Sequence, residues 1–305
     1  MSLNSIRYLQ RDQIDVARWD ACIQNAANGL VYATSTYLDG IANWHALVLN
    51  DYEAVMPLTW RKKFGFFYLY QPFFCQQLGV FSPDPGLVSA DDFLKSIPSF
   101  YSLWDIQLNA SNIVHEFGTT LRKNYTLSLG SNYENLKAAY SRSAKRNIEK
   151  AIAANVQIQT EILPESVVKL HQQRFGTEEG IRADDFQNLV SLLSKLQSMQ
   201  QAMCVGATNE QGDLIASSAY LLYKDRVTFI INGNLPESLS NGATHYLKDY
   251  VIRKFAGSGL TMDFEGSDNA MFARFYEQFG ATCTELYPAV YTNKLPWPFR
   301  LFKRR

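Results

Sequence analysis

The residues best suited to chemistry in this 305-residue chain lie between Asp263 and Ala281. The stretch reads Asp263-Phe264-Glu265-Gly266-Ser267, then Asn269, Phe275-Tyr276-Glu277 and Phe279-Gly280-Ala281. Its pattern predicts a short apolar strand, an acidic turn with glycine, a helix carrying a polar aromatic, a glycine stop and a last strand. Two carboxylates and a phenol beside a strand end can move protons. Glu265 follows the strand edge, where a base can face a cleft and act directly or through a water. Asp263 lies inside the apolar alternation Met262–Phe264, so its carboxylate is expected to cap a helix or pair with Arg274.

The elements that must position these residues follow from periodicity. Helical patterns fall near Asp12–Asn25 and Thr34–Asn43, and a hairpin pairs Trp44–Leu49 with Ala54–Trp60 across Asn50-Asp51. Phe66–Tyr70, Trp104–Leu108 and Leu121–Leu127 read as strands, and Ala90–Tyr101 as a helix apart from Pro98. Ser131 with Glu134 forms a capping-box signature for one long helix. Leu136, Tyr140, Ala144, Ile148 and Ala151 share its apolar face, opposite Arg142, Lys145, Arg146, Glu149 and Lys150. The Gly130-Ser131 junction is the expected domain boundary, giving domains 1–129 and 130–305.

The second half continues with helices at Pro164–Phe175 and Asp184–Gln200. A three-strand meander follows at Met203–Thr208, Leu214–Tyr223 and Val227–Asn232. Then come a helix from about Asn241 to Ala256, a strand at Thr261–Phe264, a helix at Asp268–Phe279 and a strand or hairpin at Thr282–Asn293. Helices followed by a meander in both halves imply two copies of one architecture.

The bulk composition excludes several classes. Lys plus Arg and Asp plus Glu are both 29, so the net charge is zero, unlike a dedicated DNA binder. Hydrophobic content of 47% supports sizeable cores. Cys22, Cys75, Cys204 and Cys283 lie far apart with no metal-ligand spacing, and read as buried thiols in a reducing compartment. No secretory pattern and no apolar run of roughly 20 residues stands out, so a cytoplasmic protein without a metal is expected.

The order meander, helix, strand, helix, strand resembles the core of GNAT acyltransferases. Asn269, Tyr276 and Gly280 match the spacing of that family's last helix, with Phe272 and Ala281 standing where the family commonly has Ala and Phe. A narrower resemblance is to FemAB-like proteins, which carry two GNAT-like domains. Ser143–Ala151 is similar to their basic linker helix, Asp263–Ser267 to their Asp-Phe-Gly-Gly turn, and Phe275, Phe279, Gly280 and Ala281 to the Phe and Phe-Gly-Ala that follow. Gln71-Pro72 and Gln76-Gln77-Leu78-Gly79 resemble the pocket segment of the first domain. No heptad run matches the coiled-coil arm of some FemAB enzymes.

The resemblance implies an α+β fold of tandem GNAT-like domains, each a mostly antiparallel sheet flanked by helices. It implies transfer of an acyl group from an acyl-CoA-type thioester to a small-molecule or peptide amine acceptor. Tyr276 sits where the family's usual acid lies, and its reference pKa of about 10 lets it donate a proton at neutral pH. The alternative for Tyr276 is a ring packed in a helix–sheet core with its hydroxyl at the rim. The donor phosphates would rest on Ser240-Asn241-Gly242-Ala243-Thr244, at a helix start whose amides and dipole suit an anion, with Asn269 nearby in function. The family's glycine pattern is only partly present there, and an ordinary capped helix start is the alternative. His245, one turn inside that helix, is a further candidate base or a packed core residue. Gln71, Gln76 and Gln77 would hold the acceptor in a cleft between the halves. Arg142, Lys145 and Arg146 would hold a phosphate-bearing substrate or charged tRNA.

Two other functions fit the same family. One is aminoacyl transfer from charged tRNA to a peptidoglycan-type precursor. The other is a catalytically inactive binding protein that keeps the fold. The C-terminal run Trp297-Pro298-Phe299-Arg300-Leu301-Phe302-Lys303-Arg304-Arg305 interleaves aromatic and basic residues and offers a weak contact to an anionic membrane.

Overall fold

The computed structural model describes residues 5–297 except 85, 87, 177–180 and 267. The chain divides into two units. Unit 1 holds the residues up to Arg122 together with those from Leu286 onward, and unit 2 holds Lys123–Glu285.

Unit 1 runs β1 (Ile6–Leu9), α1 (Val16–Asn25), α2 (Ser35–Ile41), β2 (Asn43–Leu49), β3 (Ala54–Lys63), β4 (Phe66–Tyr70), α3 (Ala90–Lys95), β5 (Tyr101–Gln107) and the first residues of β6 (Thr119–Ser128). Unit 2 takes the rest of β6, then α4 (Tyr133–Ala138), α5 (Arg142–Ala153), β7 (Gln157–Gln159), α6 (Pro164–Phe175), α7 (Ala183–Ser198), β8 (Ala202–Thr208), β9 (Leu214–Tyr223) and β10 (Arg226–Asn234). It continues with α8 (Pro236–Asn241), α9 (Ala243–Phe255), β11 (Thr261–Asp263), α10 (Ala270–Glu277) and the start of β12 (Thr282–Asn293).

Both units follow one plan: a strand, two helices, a three-strand antiparallel meander, and a last strand parallel to the meander's third. In unit 1 the meander is β2-β3-β4 and the parallel partner is β5. In unit 2 the meander is β8-β9-β10 and the parallel partner is β11. The sheet order is β1-β2-β3-β4-β5-β12 in unit 1 and β7-β8-β9-β10-β11-β6 in unit 2. Each unit thus takes its sixth strand from the other half of the sequence.

That exchange moves the unit boundary. It falls at Arg122/Lys123 rather than at the Gly130-Ser131 junction, because β6 pairs with β11 (Thr261 opposite Ser128, Asp263 opposite Thr126). The end of β12 pairs with β5, with Ala289 opposite Gln107 and Asn293 opposite Leu103. Pairing partners this far apart in sequence leave no local trace.

The long helix expected from Ser131 is two helices. Asn132, not Ser131, caps α4 by accepting from the Asn135 amide at 3.0 Å. The chain turns at Ala139–Ser141, and Ser141 caps α5 on the Ala144 amide at 3.1 Å. The apolar face predicted across the break is buried nonetheless: Leu136, Tyr140, Ala144, Ile148 and Ala151 join one core with Leu247, Val251, Phe264 and Phe279. Three short elements escaped the periodicity reading, β1, β7 and α8, each of six residues or fewer. Cys22, Cys75 and Cys204 are buried, whereas Cys283 is exposed on β12. Among the described residues no helix is long and apolar enough to cross a membrane.

Helix α6 lies hard against β10. A Cβ on Gly233 would stand 2.5 Å from the His171 amide nitrogen and 2.7 Å from the Leu170 carbonyl carbon, both backbone atoms of α6. His171 Nδ1 meets the Asn232 carbonyl at 2.7 Å beside that contact. Backbone cannot yield as a side-chain tip can, so Gly233→Ala should destabilise the protein by about 1–3 kcal/mol through overpacking. Urea unfolding monitored by circular dichroism checks this, and a change below about 0.5 kcal/mol would contradict the contact.

Candidate active site

The site is built where two parallel strands part. β10 and β11 pair only at Arg226–Thr261, Val227–Met262 and Thr228–Asp263. Past Thr228, β10 stays with β9 down to Asn234, with an irregularity in register between Phe229 and Ile231. Past Asp263, the chain instead stays with β6: the Phe264 amide donates to the Tyr125 carbonyl at 3.0 Å, and the Tyr125 amide to the Glu265 carbonyl at 3.3 Å. The two strands are therefore pulled to opposite sides.

Aromatic and polar side chains converge there. Lys248, on α9, is 4% exposed. Its Nζ lies 3.7 Å from the centroid of the Phe229 ring and 5.4 Å from that of Phe264, one ring from each side of the fork. It donates to Tyr220 Oη at 2.9 Å. Burial alone drives its ammonium well below the ordinary lysine range, since no neighbouring charge acts on it among the described residues. Burial also pushes the Tyr220 phenol up. Asn234, two residues past Asn232 on β10, keeps a buried Oδ1 without a partner among the described residues.

Tyr276 packs against Phe264, the two ring centroids 5.0 Å apart. It is 8% exposed, with its phenol pushed up by burial and by the charges of Glu265 and Asp263. Glu265 has a left-handed backbone, φ 62°, which costs of order 1 kcal/mol for a residue with a side chain. Its amide donates to Asp263 Oδ1 at 2.9 Å, and Tyr125 holds its carbonyl. The turn is fixed at both peptide ends, and the Glu265 charge acts on the Tyr276 phenol.

Asp263 is structural, and its partner is Arg226 rather than Arg274. Arg226 Nη1 donates to Asp263 Oδ2 at 2.8 Å, and its Nη2 donates to Glu285 Oε1 at 2.6 Å. Asn124 Nδ2 adds a bond to Glu285 Oε2 at 3.0 Å. Burial raises Asp263 despite Arg226. Burial works against the Glu285 charge too, but the Arg226 bond and charge outweigh it and hold that carboxyl below its ordinary value. The cluster ties β10, β11 and β12 together at the closed end of the fork.

At the helix start expected to cradle phosphate, the Ala243 amide already has a partner within the turn. Asn241 Oδ1 accepts from the Ala243 amide at 3.0 Å, and the His245 and Tyr246 amides both reach the Gly242 carbonyl, at 3.0 and 3.1 Å. Gly242, φ 83°, is pressed against α5: a Cβ there would be 2.0 Å from the Asn147 carbonyl oxygen. Ser240 Oγ donates to the Glu237 carbonyl, and Thr244 Oγ1 lies 3.3 Å from Ser238 Oγ. His245 packs between the Phe275 and Phe279 rings, with burial lowering its pKa. Asn269 caps α10 by accepting from the Met271 amide.

On α5, Lys145 Nζ donates to the Ala138 carbonyl at 2.9 Å, while Arg142 and Arg146 are exposed. Gln71, Gln76 and Gln77 belong to unit 1. Gln71 bridges the Cys75 carbonyl and the Gln107 amide, at 2.7 and 2.9 Å. Gln77, 3% exposed, accepts from the Ala110 amide and donates to Gln76 Oε1. The C-terminal aromatic and basic run lies outside the described residues beyond Trp297. Sequence reading missed Lys248 and Tyr220. The signal was present: Lys248 stands three and four residues before Val251 and Ile252, inside the apolar stripe of α9.

No family model matches the chain, and no curated protein matches it. Among solved structures it is similar to FemX, with a TM-score of 0.63 at 10% identity over 93% of this chain and 97% of that one. It is similar to the C-terminal DUF2156 domain of a putative lysylphosphatidylglycerol synthetase from Agrobacterium fabrum, TM-score 0.57 at 9% identity over 94% of each chain. A tandem GNAT protein from the clavulanic acid biosynthesis pathway matches with a TM-score of 0.56 at 11% identity, covering 96% of this chain and 99% of its own. The fold is the FemAB-like tandem GNAT fold, α+β with mostly antiparallel pairing flanked by helices.

The Arg226 cluster makes a test of how the fork is held. Arg226→Ala leaves two largely buried carboxylates without their cation, which should cost about 3–5 kcal/mol at neutral pH. The loss should shrink near pH 4, where protonation removes the unpaired charges. Chemical denaturation at both pH values measures it, and an equal loss at both would contradict the electrostatic account.

Proposed function

We propose that unit 2 transfers an acyl group from an activated carrier to an amine, with the reacting centre at the β10–β11 fork. One observation carries this reading: the two strands diverge after Thr228 and Asp263 in unit 2, and polar side chains able to move protons line the point of divergence. In the reaction the amine nitrogen bonds to the acyl carbonyl carbon and the carbonyl's bond to the carrier breaks. The carrier leaves with a proton and the amine loses one. Tyr276 is placed to supply the first proton: its phenol is protonated at neutral pH and its ring packs on Phe264 at the end of β11. Glu265, close enough for its charge to act on Tyr276, is suited to orient the acceptor amine or a water beside it.

Acyl-CoA is the first donor to test. A second reading, an aminoacyl group carried on charged tRNA, is favoured by the helix start of α9. Its Ala243 amide already has a partner and its Gly242 turn is packed on Asn147, so a pyrophosphate would find few free donors. The exposed Arg142 and Arg146 offer phosphate contacts instead. Thermal shift separates the donors: a ligand at a hundredfold excess over its Kd adds about 2.7 kcal/mol.

Tyr276→Phe should lower transfer by about 100-fold with the donor that shifts the protein, while leaving the fold intact. Transfer to a primary amine, read by mass spectrometry, checks this. Equal rates for both proteins would remove Tyr276 from the mechanism. Binding without transfer would leave a catalytically inactive binding protein.

A further inference from the structure

We infer that Lys248 is the group that takes the proton from the attacking amine, and that Tyr220 is the positioning residue that fixes its Nζ at the fork. The inference rests on the acyl-transfer reading above and names a catalytic residue for it.

Geometry comes first. The Lys248 amine is wedged between Phe229 of β10 and Phe264 at the end of β11, where the strands separate, and it donates to Tyr220 Oη at 2.9 Å. Every nearby acid is engaged elsewhere or set apart. Asp249, the next residue on α9, meets the Tyr133 hydroxyl at 2.9 and 3.0 Å. Asp263 and Glu285 hold Arg226. Glu265 acts on the Tyr276 phenol rather than on Lys248, and His245 is packed against Phe275 and Phe279. An enclosed lysine without a carboxylate is costly to charge, so at neutral pH its nitrogen offers a lone pair.

Proton affinity then decides between the candidate bases. A carboxylate of reference pKa about 4.3 is a poor match for a proton leaving an amine adduct. A lysine lowered from its ordinary value lies nearer the working pH and accepts that proton more readily. The amine lone pair forms the C–N bond, and the proton on that nitrogen passes to Lys248 Nζ. The carrier's sulfur or oxygen departs with the electrons of the broken bond and takes a proton from Tyr276. The Lys248 ammonium then returns its proton to the Tyr276 phenolate or to solvent. The sum is an amide and the protonated carrier.

A side chain kept for this purpose should weaken the fold. Between its lowered folded pKa and about 10.4 the unfolded chain binds more protons, so Lys248 makes stability rise with pH across that interval. Methionine has similar length and no charge to bury.

The test measures transfer from acetyl-CoA, and in a second arm from aminoacyl-tRNA, to hydroxylamine between about pH 6 and 9. Wild type, Lys248→Met and Tyr220→Phe are compared, together with their thermal unfolding. Lys248→Met should lower kcat by about 100-fold or more with the donor KM within about threefold, raise the unfolding midpoint by about 2 °C or more, and flatten its rise with pH. Tyr220→Phe should move the acid limb of the kcat–pH profile, a shift that lost packing alone would not produce. Lys248→Met within about threefold of wild type, or an unmoved acid limb in Tyr220→Phe, overturns the inference and leaves the transferase reading standing. No transfer by wild type with either donor overturns the transferase reading itself, and this inference with it.

Discussion

Everything proposed for unit 2 depends on β11 changing allegiance. For three residues it pairs with β10, and then the chain follows β6 through Phe264 and Glu265. β10 meanwhile holds to β9, with its register shifting near Ile230. Backbone hydrogen bonds on the two outer edges thus pull the inner edges apart. A parted pair of strands leaves backbone groups and side chains facing one another with no ladder between them. Buried polar groups need partners, so such an opening is either filled by side chains or kept for a ligand.

Charge is distributed around the fork in two ways. At its closed end Arg226 lies with Asp263 and Glu285, a fully engaged cluster whose breakage would leave bare buried charge. At its open end Lys248 has a phenol and two aromatic faces but no carboxylate among the described residues. The first arrangement fixes geometry. The second leaves a titratable group in a low-dielectric place, where proton affinities are shifted from their solution values. Sites of this kind are where catalytic groups concentrate, although structural networks perturb proton affinity as well.

Much of the fold was readable from sequence because local pattern and tertiary role agree. Alternation marked the hairpin of β2 and β3, the meander of unit 2, and β11 with α10 after it. The stripe from Leu136 to Ala151 was found to be buried although the helix carrying it is broken, since a burial pattern survives a turn that preserves its face. What was not readable is long-range. The exchange of β6 and β12 joins residues more than a hundred positions apart, and shifted the unit boundary. Glu265 and Tyr276 stood out by residue type and motif. Lys248 did not, because a lysine in a helix is ordinarily solvated, and only its place between Leu247 and Val251 hinted otherwise. The turn at Gly242 was read either as a phosphate cradle or as an ordinary capped helix start. Its glycine is explained by close approach to Asn147, a contact that sequence does not show.

The central claim is that the fork receives the reacting carbonyl. A crystal structure of the chain with a non-transferable acyl donor analogue, a thioether for the thioester arm or an amide for the ester arm, tests it most directly. The acyl carbon should lie in the fork past Thr228 and Asp263, with Tyr276 Oη and Lys248 Nζ both within about 4 Å of the reacting atoms, the contact range of apposed groups. An analogue bound away from the fork, or β10 and β11 closed together beyond Thr228 and Asp263, would contradict it.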